Sequence, residues 1–377
     1  MNLPSALAAP GGPVAGPPAG IVAPLEARAF QDFLNGAKAY WGGELYREVV
    51  ARAEATGLED VPALECGMRD APAYRLYAWL ERRVQQFKWN GRWGFVTALQ
   101  PYRAELDARL ARAHEQNAAG LELDPEFEMP EYVTRTDTHQ IAGGLWRDPM
   151  NAYCLAWYQQ GPSFSGPDPE ALVNWYARLL KERAVAKGLK PRRVVDLGCT
   201  AGRSSRAIKR AMPEAAVIGC DVCAPTLRHG HLVAASDPAQ VTLSQQSAES
   251  LRFADGSVDI VASHWLVHEM PPQAIRQSIA EARRVLRRGG MLAIYDMILV
   301  PGGVVGQWLQ SGYAARNNEP FAHTLQHVDF WRELEAAGFA DVSVELTSPQ
   351  HPGPDVPTRL PENRLHHMTL VTAFVPE

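Results

Sequence analysis

The chain has 377 residues, 46% of them hydrophobic, and a formal net charge of −5 at pH 7. This length has room for two domains, and without 18 consecutive apolar residues or a basic stripe we expect neither a membrane span nor nucleic-acid binding. The five scattered cysteines do not suggest a disulfide framework, so the expected location is the reducing cytoplasm.

Residues 1–25 consist mainly of Ala, Pro, Gly and Val, and they contain no charged side chain. Because prolines interrupt every apolar run, we interpret this segment as a disordered tail rather than a signal peptide. Residues 26–120 repeat apolar residues at helical spacing and predict a helical N-terminal domain. Two roles remain open for it: covering the second domain or forming a homodimer.

A connector at residues 121–168 has no clean periodicity and concentrates polar and aromatic residues, among them Tyr132, His139, Gln140 and Trp146. Loops of this composition often carry function. One interpretation is a lid over a ligand, with His139 or Gln140 near the substrate. The other is an ordinary interdomain connection with a hydrogen-bonded histidine.

From residue 169 onward strands and helices alternate, which predicts a parallel sheet with helices on both faces. The fold class is therefore α/β: a doubly wound, mainly parallel seven-stranded sheet of Rossmann-like type, with the helical domain in front. The first predicted strand ends at Asp196. The six others span Ala216–Cys220, Val241–Gln245, Val258–Ser263, Met291–Asp296, Asp341–Leu346 and His367–Phe374. The first predicted helix of this part begins at Pro169. The others span Arg203–Met212, Pro225–Ala235, Pro271–Leu286 and Val328–Ala337.

Residues 194–205 read Val-Val-Asp-Leu-Gly-Cys-Thr-Ala-Gly-Arg-Ser-Ser, a strand, a small-residue loop and a helix start. A dinucleotide fingerprint starting at Gly198 needs glycine at positions 200 and 203, where this chain has Thr200 and Arg203. Asp196 and Asp221 close two successive apolar runs. Two carboxylates at neighbouring strand ends suit a ligand with an ammonium group and a ribose diol rather than phosphates.

Five motifs in order then carry a family resemblance, over about a hundred residues. They are Asp-Leu-Gly-Cys-Thr-Ala-Gly, Val-Ile-Gly-Cys-Asp, Ser-Ala-Glu-Ser-Leu-Arg-Phe, Ser-Val-Asp-Ile-Val-Ala-Ser-His and Ala-Arg-Arg-Val-Leu-Arg-Arg-Gly-Gly. This order resembles the class I S-adenosylmethionine-dependent methyltransferases, in particular the ubiquinone and menaquinone branch. The resemblance covers residues 165–300, extends by pattern over 325–377, and does not include the chain before residue 121.

The resemblance implies S-adenosylmethionine as the cofactor and assigns roles to residues near the strand ends. Asp196 and Gly198 would lie beneath its methionine part, and Asp221 would accept hydrogen bonds from both ribose hydroxyls. The remaining implied cofactor contacts are Thr200, Gly202, Val222, Ser247, Ala248 and Ser263. Two positions depart from the family pattern, since the family usually has glycine where Thr200 stands and aspartate where Ser247 stands.

Methyl transfer from a sulfonium is an in-line displacement, so alignment of donor and acceptor matters most. An acceptor with a proton of high pKa, such as a hydroxyl, also needs a base. His268, just after the fourth predicted strand, is the first candidate and His139 the second; for each, a histidine that merely caps or packs on a helix is the alternative.

An insertion at residues 301–326 is expected to cover the acceptor, because relatives have a covering segment there. The predicted substrate contacts are His264, Arg316, Asn318 and Glu319. Arg316 either holds a substrate carboxylate or pairs with Glu319. No metal site is expected, because Cys220 and Cys223 lack a second ligand pair.

The function predicted from these features is methylation of an O, N, S or C atom of a small molecule, in the biosynthesis of a metabolite. Two alternatives remain: an oxidoreductase with a nucleotide cofactor, opposed by Thr200 and Arg203, and a non-catalytic binding protein on the same fold. The expected partners are a small-molecule substrate and, through the helical N-terminal domain, a second copy of the chain.

Overall fold

The computed structural model describes residues 21–115, 120–159, 168, 170–235, 237–297, 303–348, 351–355 and 368–377. Several predictions therefore lie wholly or partly outside the described residues. They concern residues 1–20 of the tail, the start of a helix at Pro169, the first two residues of the 301–326 insertion and the start of the last strand at His367.

The N-terminal region is helical, as predicted. Its helices are α1 (Leu25–Tyr40), α2 (Tyr46–Ala55), α3 (Val61–Met68), α4 (Pro72–Asn90), α5 (Phe95–Leu99) and α6 (Arg103–Glu115), with a π-helical turn at Trp41–Leu45. Asp60 caps α3 by accepting a hydrogen bond from the Ala63 N–H at 2.8 Å. The prediction of a disordered tail up to residue 25 is wrong for its last residues, since Ile21 and Ala23 are buried in the core.

Aromatic side chains form much of the core of this region. The rings of Trp41 and Tyr77 stack at 5.2 Å between centroids. Tyr74 packs at 4.5 Å on Trp308, which belongs to the predicted insertion near the other end of the chain. The N-terminal helices and the insertion therefore share one hydrophobic core.

The connector contains β1 (Leu121–Glu122), α7 (Glu131–Thr134), a 3-10 turn (Thr138–Gln140), α8 (Gly144–Arg147) and α9 (Met150–Gln159). Helix α9 is buried along most of its length, and its Trp157 packs at 4.7 Å on Phe95 of α5. The connector thus joins the N-terminal core instead of standing apart from it.

One sheet organises the rest of the chain. Its further strands are β2 (Arg193–Leu197), β3 (Ala216–Asp221), β4 (Thr242–Gln245), β5 (Val258–His264), β6 (Leu286–Asp296), β7 (Ala340–Ser348), β8 (His351–Asp355) and β9 (Thr369–Phe374). Their order is β1-β4-β3-β2-β5-β6-β9-β7-β8, parallel from β1 to β6 and antiparallel beyond.

The predicted α/β class and mainly parallel sheet are confirmed, but the number of strands is wrong. Within the described ranges, the sheet has nine strands instead of seven. The two additional strands lie at the edges, where β1 has only two residues and β8 reads His-Pro-Gly-Pro-Asp. Neither sequence has the apolar alternation or continuous apolar run that marks a strand.

Helices cover both faces of the sheet because successive strand residues point to opposite sides. Val194 packs on one side and Val195 on the other. The covering helices are α10 (Ala171–Ala186), α11 (Arg203–Ala211), α12 (Ala224–Ala234), α13 (Pro272–Val285) and α15 (Phe330–Ala336). Helix α14 (Gly303–Asn317) packs on the N-terminal helices instead. Among the described residues, no helix combines the length and the apolar character needed to cross a membrane.

The register of the parallel strands brings their carboxyl ends to one edge. Leu197 pairs with Ser263 across β2 and β5, and Asp221 pairs with Gln245 across β3 and β4. The loops after β2, β3 and β5 therefore lie side by side, where ligands bind in open α/β sheets.

Candidate active site at the carboxyl ends of the strands

A cavity of about 530 Å³ lies over this edge of the sheet. Several parts of the chain form its wall, among them the insertion with Tyr313 and Phe321. The strand-end loops contribute Gly198, Thr200, Asp221, Val222, Ser247, Ala248, His264 and His268; the connector contributes Tyr132, His139, Trp146 and Tyr158; and the N-terminal helices contribute Lys38, Trp41, Glu81 and Trp89. A volume of this size suits a small molecule.

The glycine loop after β2 has little spare space. Gly198 has a φ of 67°, and a Cβ there would lie 2.8 Å from the Cδ1 atom of Leu266. At Gly202, with a φ of 68°, a Cβ would lie 2.6 Å from the Cδ2 atom of Leu243. The loop therefore needs glycine at both positions, for backbone conformation and for space.

Thr200 stands between them with a φ of 48°, a conformation that costs energy for a residue with a side chain. Its backbone N–H donates a 2.9 Å hydrogen bond to Oδ2 of Asp221. The strained residue therefore ties the glycine loop to the end of β3.

Asp221 is only 8% exposed and lines the cavity. Its Oδ1 accepts a hydrogen bond from the Cys223 N–H at 2.8 Å, and its Oδ2 accepts the one from Thr200. Burial raises the pKa of this carboxyl, while hydrogen bonds from the backbone of Cys223, Thr200 and Val222 and from the Cys223 side chain oppose that effect.

Asp196 has a different role from the one predicted, because it is fully buried and does not line the cavity. Its Oδ2 accepts hydrogen bonds of 2.6 Å from the hydroxyls of Ser204 and Ser205, at the start of α11. Burial raises its pKa to about 6. Asp196 thus anchors the helix behind the glycine loop, and Gly202 and Ser263 are likewise absent from the described cavity wall.

Beyond the glycine loop, two histidines and three carboxylates form a continuous cluster. His268 places its Nδ1 2.6 Å from Oδ1 of Asp296, and its Nε2 lies 3.5 Å from Oε1 of Glu269. His139 bridges two carboxylates, with Nε2 2.9 Å from Oε1 of Glu269 and Nδ1 2.8 Å from Oε1 of Glu319. The two candidate bases therefore meet at Glu269, although 129 positions separate them in the sequence.

The carboxylates control the protonation of both histidines. Burial opposes the charged form of His139, but Glu319 and Glu269 outweigh it and raise its pKa to about 10. Asp296 in the same way raises the pKa of His268 well above its usual range. Both rings therefore hold two protons at neutral pH when only these carboxylates surround them, and this state opposes a role as general base.

Of the four predicted substrate contacts, only His264 lines the cavity. Burial lowers its pKa to about 3, so it is neutral between its aromatic neighbours. Arg316 pairs with Glu81 of α4 at 2.5 Å rather than with Glu319. Asn318 is exposed and donates to the Asp137 carbonyl at 2.6 Å, whereas Glu319 is fully buried against His139. These three residues do not line the cavity, and their contact with a substrate stays a prediction.

A second group at the cavity wall was missed in the sequence. The Nζ of Lys38 lies 3.4 Å from the hydroxyl of Tyr158, and the Nζ of Lys88 lies 3.8 Å from the centre of its ring. Burial raises the pKa of Tyr158, but the two ammonium groups outweigh it and lower the pKa to about 8. The only sequence signal is a lysine flanked by Phe87 and Trp89, which reads as a helix surface.

The comparisons with known proteins agree with this geometry. Residues 194–290 match the family model described as "Methyltransferase domain". An uncharacterized methyltransferase of Synechocystis is 31% identical over 118 residues, which cover 31% of this chain and 51% of the relative. The malonyl-[acyl-carrier protein] O-methyltransferase of Herminiimonas arsenicoxydans is 30% identical over 154 residues, 40% of this chain and 54% of the relative.

Among solved structures, a phosphoethanolamine N-methyltransferase of Haemonchus contortus in complex with S-adenosyl-L-methionine is 16% identical, with a TM-score of 0.45. The match covers 66% of this chain and 61% of that one. The chain spans about half the length of the curated relatives it matches. The family match falls on the glycine loop, Asp221 and the strands that carry them. The predicted resemblance to class I S-adenosylmethionine-dependent methyltransferases is confirmed for residues 194–290, which match the methyltransferase domain.

Proposed function

We propose that this protein transfers a methyl group from S-adenosylmethionine to an O, N, S or C atom of a small molecule. The observation that carries the proposal is Asp221, a buried carboxylate beside the glycine loop in the cavity wall. The cavity continues from there to the cluster around Glu269 and to the N-terminal helices. One enclosed space thus has room for a cofactor and an acceptor.

The part of the cavity beside Asp221 and the glycine loop is here called the cofactor end. Its residues fit S-adenosylmethionine. Asp221 would accept hydrogen bonds from the ribose hydroxyls, and the main chain at Gly198 would approach the ligand closely because no Cβ stands there. Val222, Ser247 and Ala248 line the same end and would contact the adenine. When bound, the cofactor supplies a methyl group activated by a positive sulfonium.

The opposite part of the cavity is here called the acceptor end. It would align the methyl acceptor and supply charged groups. Trp41, Trp89 and Trp146 line it together with Lys38 and Tyr158. This wall suits an apolar or aromatic compound that carries an anionic group. His268 and His139 remain candidate groups for proton handling, but their raised pKa values favour a role in holding the Glu269 carboxylate toward the cavity.

The N-terminal helices and the connector would cover the acceptor, since they supply much of the cavity wall. A homodimer through this region also remains a proposal, supported by the exposed side chains of Phe33 (66%) and Trp79 (53%). Light scattering on the purified chain tests it. A single-chain mass for wild type at micromolar concentration would count against the dimer.

The test of function is incubation with methyl-labelled S-adenosylmethionine and a metabolite extract, followed by identification of the labelled compound. We expect label in a small molecule with wild type and much less with Asp221→Ala. If calorimetry shows cofactor binding but no extract yields a labelled compound, the non-catalytic alternative is supported. A biosynthetic role depends on what the labelled compound is.

A further inference from the structure

His139, His268 and Glu269 bring three metal-ligating atoms together in the cavity wall. These atoms all lie within 4.8 Å of one another. Oε1 of Glu269 is 2.9 Å from Nε2 of His139 and 3.5 Å from Nε2 of His268. Ligands on one ion with bonds of about 2.1 Å are separated by about 3.0–3.5 Å at octahedral or tetrahedral angles. The two separations of 2.9 and 3.5 Å lie close to the two ends of this range before any adjustment around an ion.

The second nitrogen of each histidine is held by a carboxylate. Nδ1 of His268 contacts Asp296 at 2.6 Å, and Nδ1 of His139 contacts Glu319 at 2.8 Å. Both carboxylates have no exposed side-chain surface. Metal-binding histidines characteristically donate their other N–H to a carboxylate, which fixes the ring and directs the remaining lone pair at the ion. Here the Nε2 atoms of both rings are directed toward Glu269.

The backbone at His139 provides an independent observation. His139 and Gln140 have consecutive positive φ values of 56° and 61°, a conformation that costs energy for residues with side chains. The surroundings hold this conformation, since Gln140 donates to the Arg316 carbonyl at 2.8 Å. The strained turn directs the His139 ring at Glu269, and strain of this kind concentrates at ligand sites.

We propose that His139, His268 and Glu269 bind one divalent first-row transition ion at the acceptor end of the cavity. Two imidazoles and one carboxylate are a donor set for Mn²⁺, Fe²⁺, Co²⁺ or Zn²⁺ and leave coordination positions open. All three residues line the cavity, so an acceptor heteroatom can take an open position. A divalent ion with two neutral imidazoles carries the same total charge as two doubly protonated imidazoles, so the net charge of the cluster with its three carboxylates is the same in both states.

The ion would hold the acceptor in place and lower the pKa of a bound hydroxyl, as bound metals do. This role rests on the proposed methyl transfer, whereas metal binding itself does not. The alternative is a cluster of ion pairs that never binds a metal. The sequence pattern does not reveal this metal site, because its ligands come from two distant segments, the connector and the turn after β5.

The test uses the full chain, stripped with a chelator, desalted and titrated with Co²⁺ by calorimetry and visible absorption. We expect one equivalent to bind to wild type and binding to weaken at least about tenfold in His139→Gln and Glu269→Gln. Glu319→Gln, which leaves all three ligands in place, should weaken binding about tenfold. His327→Gln removes an exposed histidine outside the cavity wall and should leave binding unchanged.

Thermal shift with S-adenosylhomocysteine accompanies each titration and reports whether a variant is folded. If the cofactor stabilises the folded wild type but Co²⁺ binds no more tightly to it than to His139→Gln, the metal proposal is overturned. One tight equivalent that all the variants retain also overturns it, since the ion then lies elsewhere. If Co²⁺ binds as expected but no S-adenosyl compound does, the proposed function fails and the metal site stands.

Discussion

The two ends of the cavity are built in different ways. The cofactor end comes from residues 198–248, in which consecutive strands bring short loops to one edge of the sheet. The acceptor end combines Lys38, His139, His268 and Tyr313, which belong to four separate segments. The first is therefore encoded by local motifs, whereas the second exists only after the N-terminal helices, the connector and the insertion have packed together.

The kinds of contact differ as well. At the cofactor end the main chain carries much of the geometry, through the backbone N–H groups of Thr200 and Cys223 and the glycine positions. At the acceptor end side chains carry it, through buried charges such as the pair of Arg316 and Glu81. The comparison predicts that single substitutions affect cofactor affinity at one end and the assembly of the molecule at the other.

The largest expected effect is at the contact between the N-terminal helices and the insertion. Glu81→Ala leaves the Arg316 guanidinium without its carboxylate in a site where the two side chains are 2% and 15% exposed. Removing one partner of a buried pair costs about 3–5 kcal/mol of unfolding free energy. Urea unfolding monitored by tryptophan fluorescence measures it.

The matched control is Glu48→Ala, which breaks an exposed pair with Arg52 in the same helical region. It should cost no more than about 0.5 kcal/mol. If the two variants lose equal stability, the insertion and the N-terminal helices are not held together through Glu81.

At the cofactor end, Asp221→Asn should reduce affinity for S-adenosylhomocysteine while the fold persists. Hydrogen bonds to a charged group contribute about 1–3 kcal/mol, and the amide presents one acceptor atom instead of two. Calorimetry measures the change. Asp255→Asn, with the same substitution at a side chain that is 80% exposed, is the control; equal affinities for the two variants would contradict the ribose assignment.

Local sequence patterns predict those parts of the fold and site that depend on neighbouring residues in the chain. The apolar run before Asp196 and the acidic end of the next run placed β2 and β3 correctly and led to the family. The sequence does not show roles that depend on burial and on distant partners. Asp196 was expected to lie beneath the cofactor, and in the structure its carboxylate accepts hydrogen bonds from Ser204 and Ser205 behind the loop. The partners of Arg316 and Glu319 could not be read from the sequence either. They are Glu81 and His139, which lie 235 and 180 positions away along the chain.

A third prediction concerns the packing behind the cofactor loop. Gly230 of α12 lies so close to the loop that a Cβ would be 2.5 Å from the carbonyl oxygen of Ala201. Gly230→Ala should therefore lower the free energy of unfolding by about 1–3 kcal/mol, the usual cost of overpacking. The displaced loop should also bind S-adenosylhomocysteine more weakly.

Gly36→Ala in α1 is the opposite case, because no atom lies within 4 Å of a Cβ there. Alanine in a helix is favoured over glycine by about 0.5–1 kcal/mol, so this variant should gain stability. Opposite signs at Gly36 and Gly230 are the expected thermal-unfolding result. Equal signs would mean that the close contact at Ala201 does not constrain the loop.

The last prediction is a pH dependence at the acceptor end, measured on chelator-treated protein. Folding raises the pKa of His139 from its usual 6.5 to about 10, because Glu319 and Glu269 outweigh its burial. A group whose pKa rises on folding contributes stability below its unfolded pKa and loses it as the pH passes the folded value. The difference in unfolding free energy between wild type and His139→Gln should therefore be largest near pH 6 and shrink toward about pH 10. A difference for His139→Gln that stays constant with pH would contradict the ion pairs of His139 with Glu269 and Glu319.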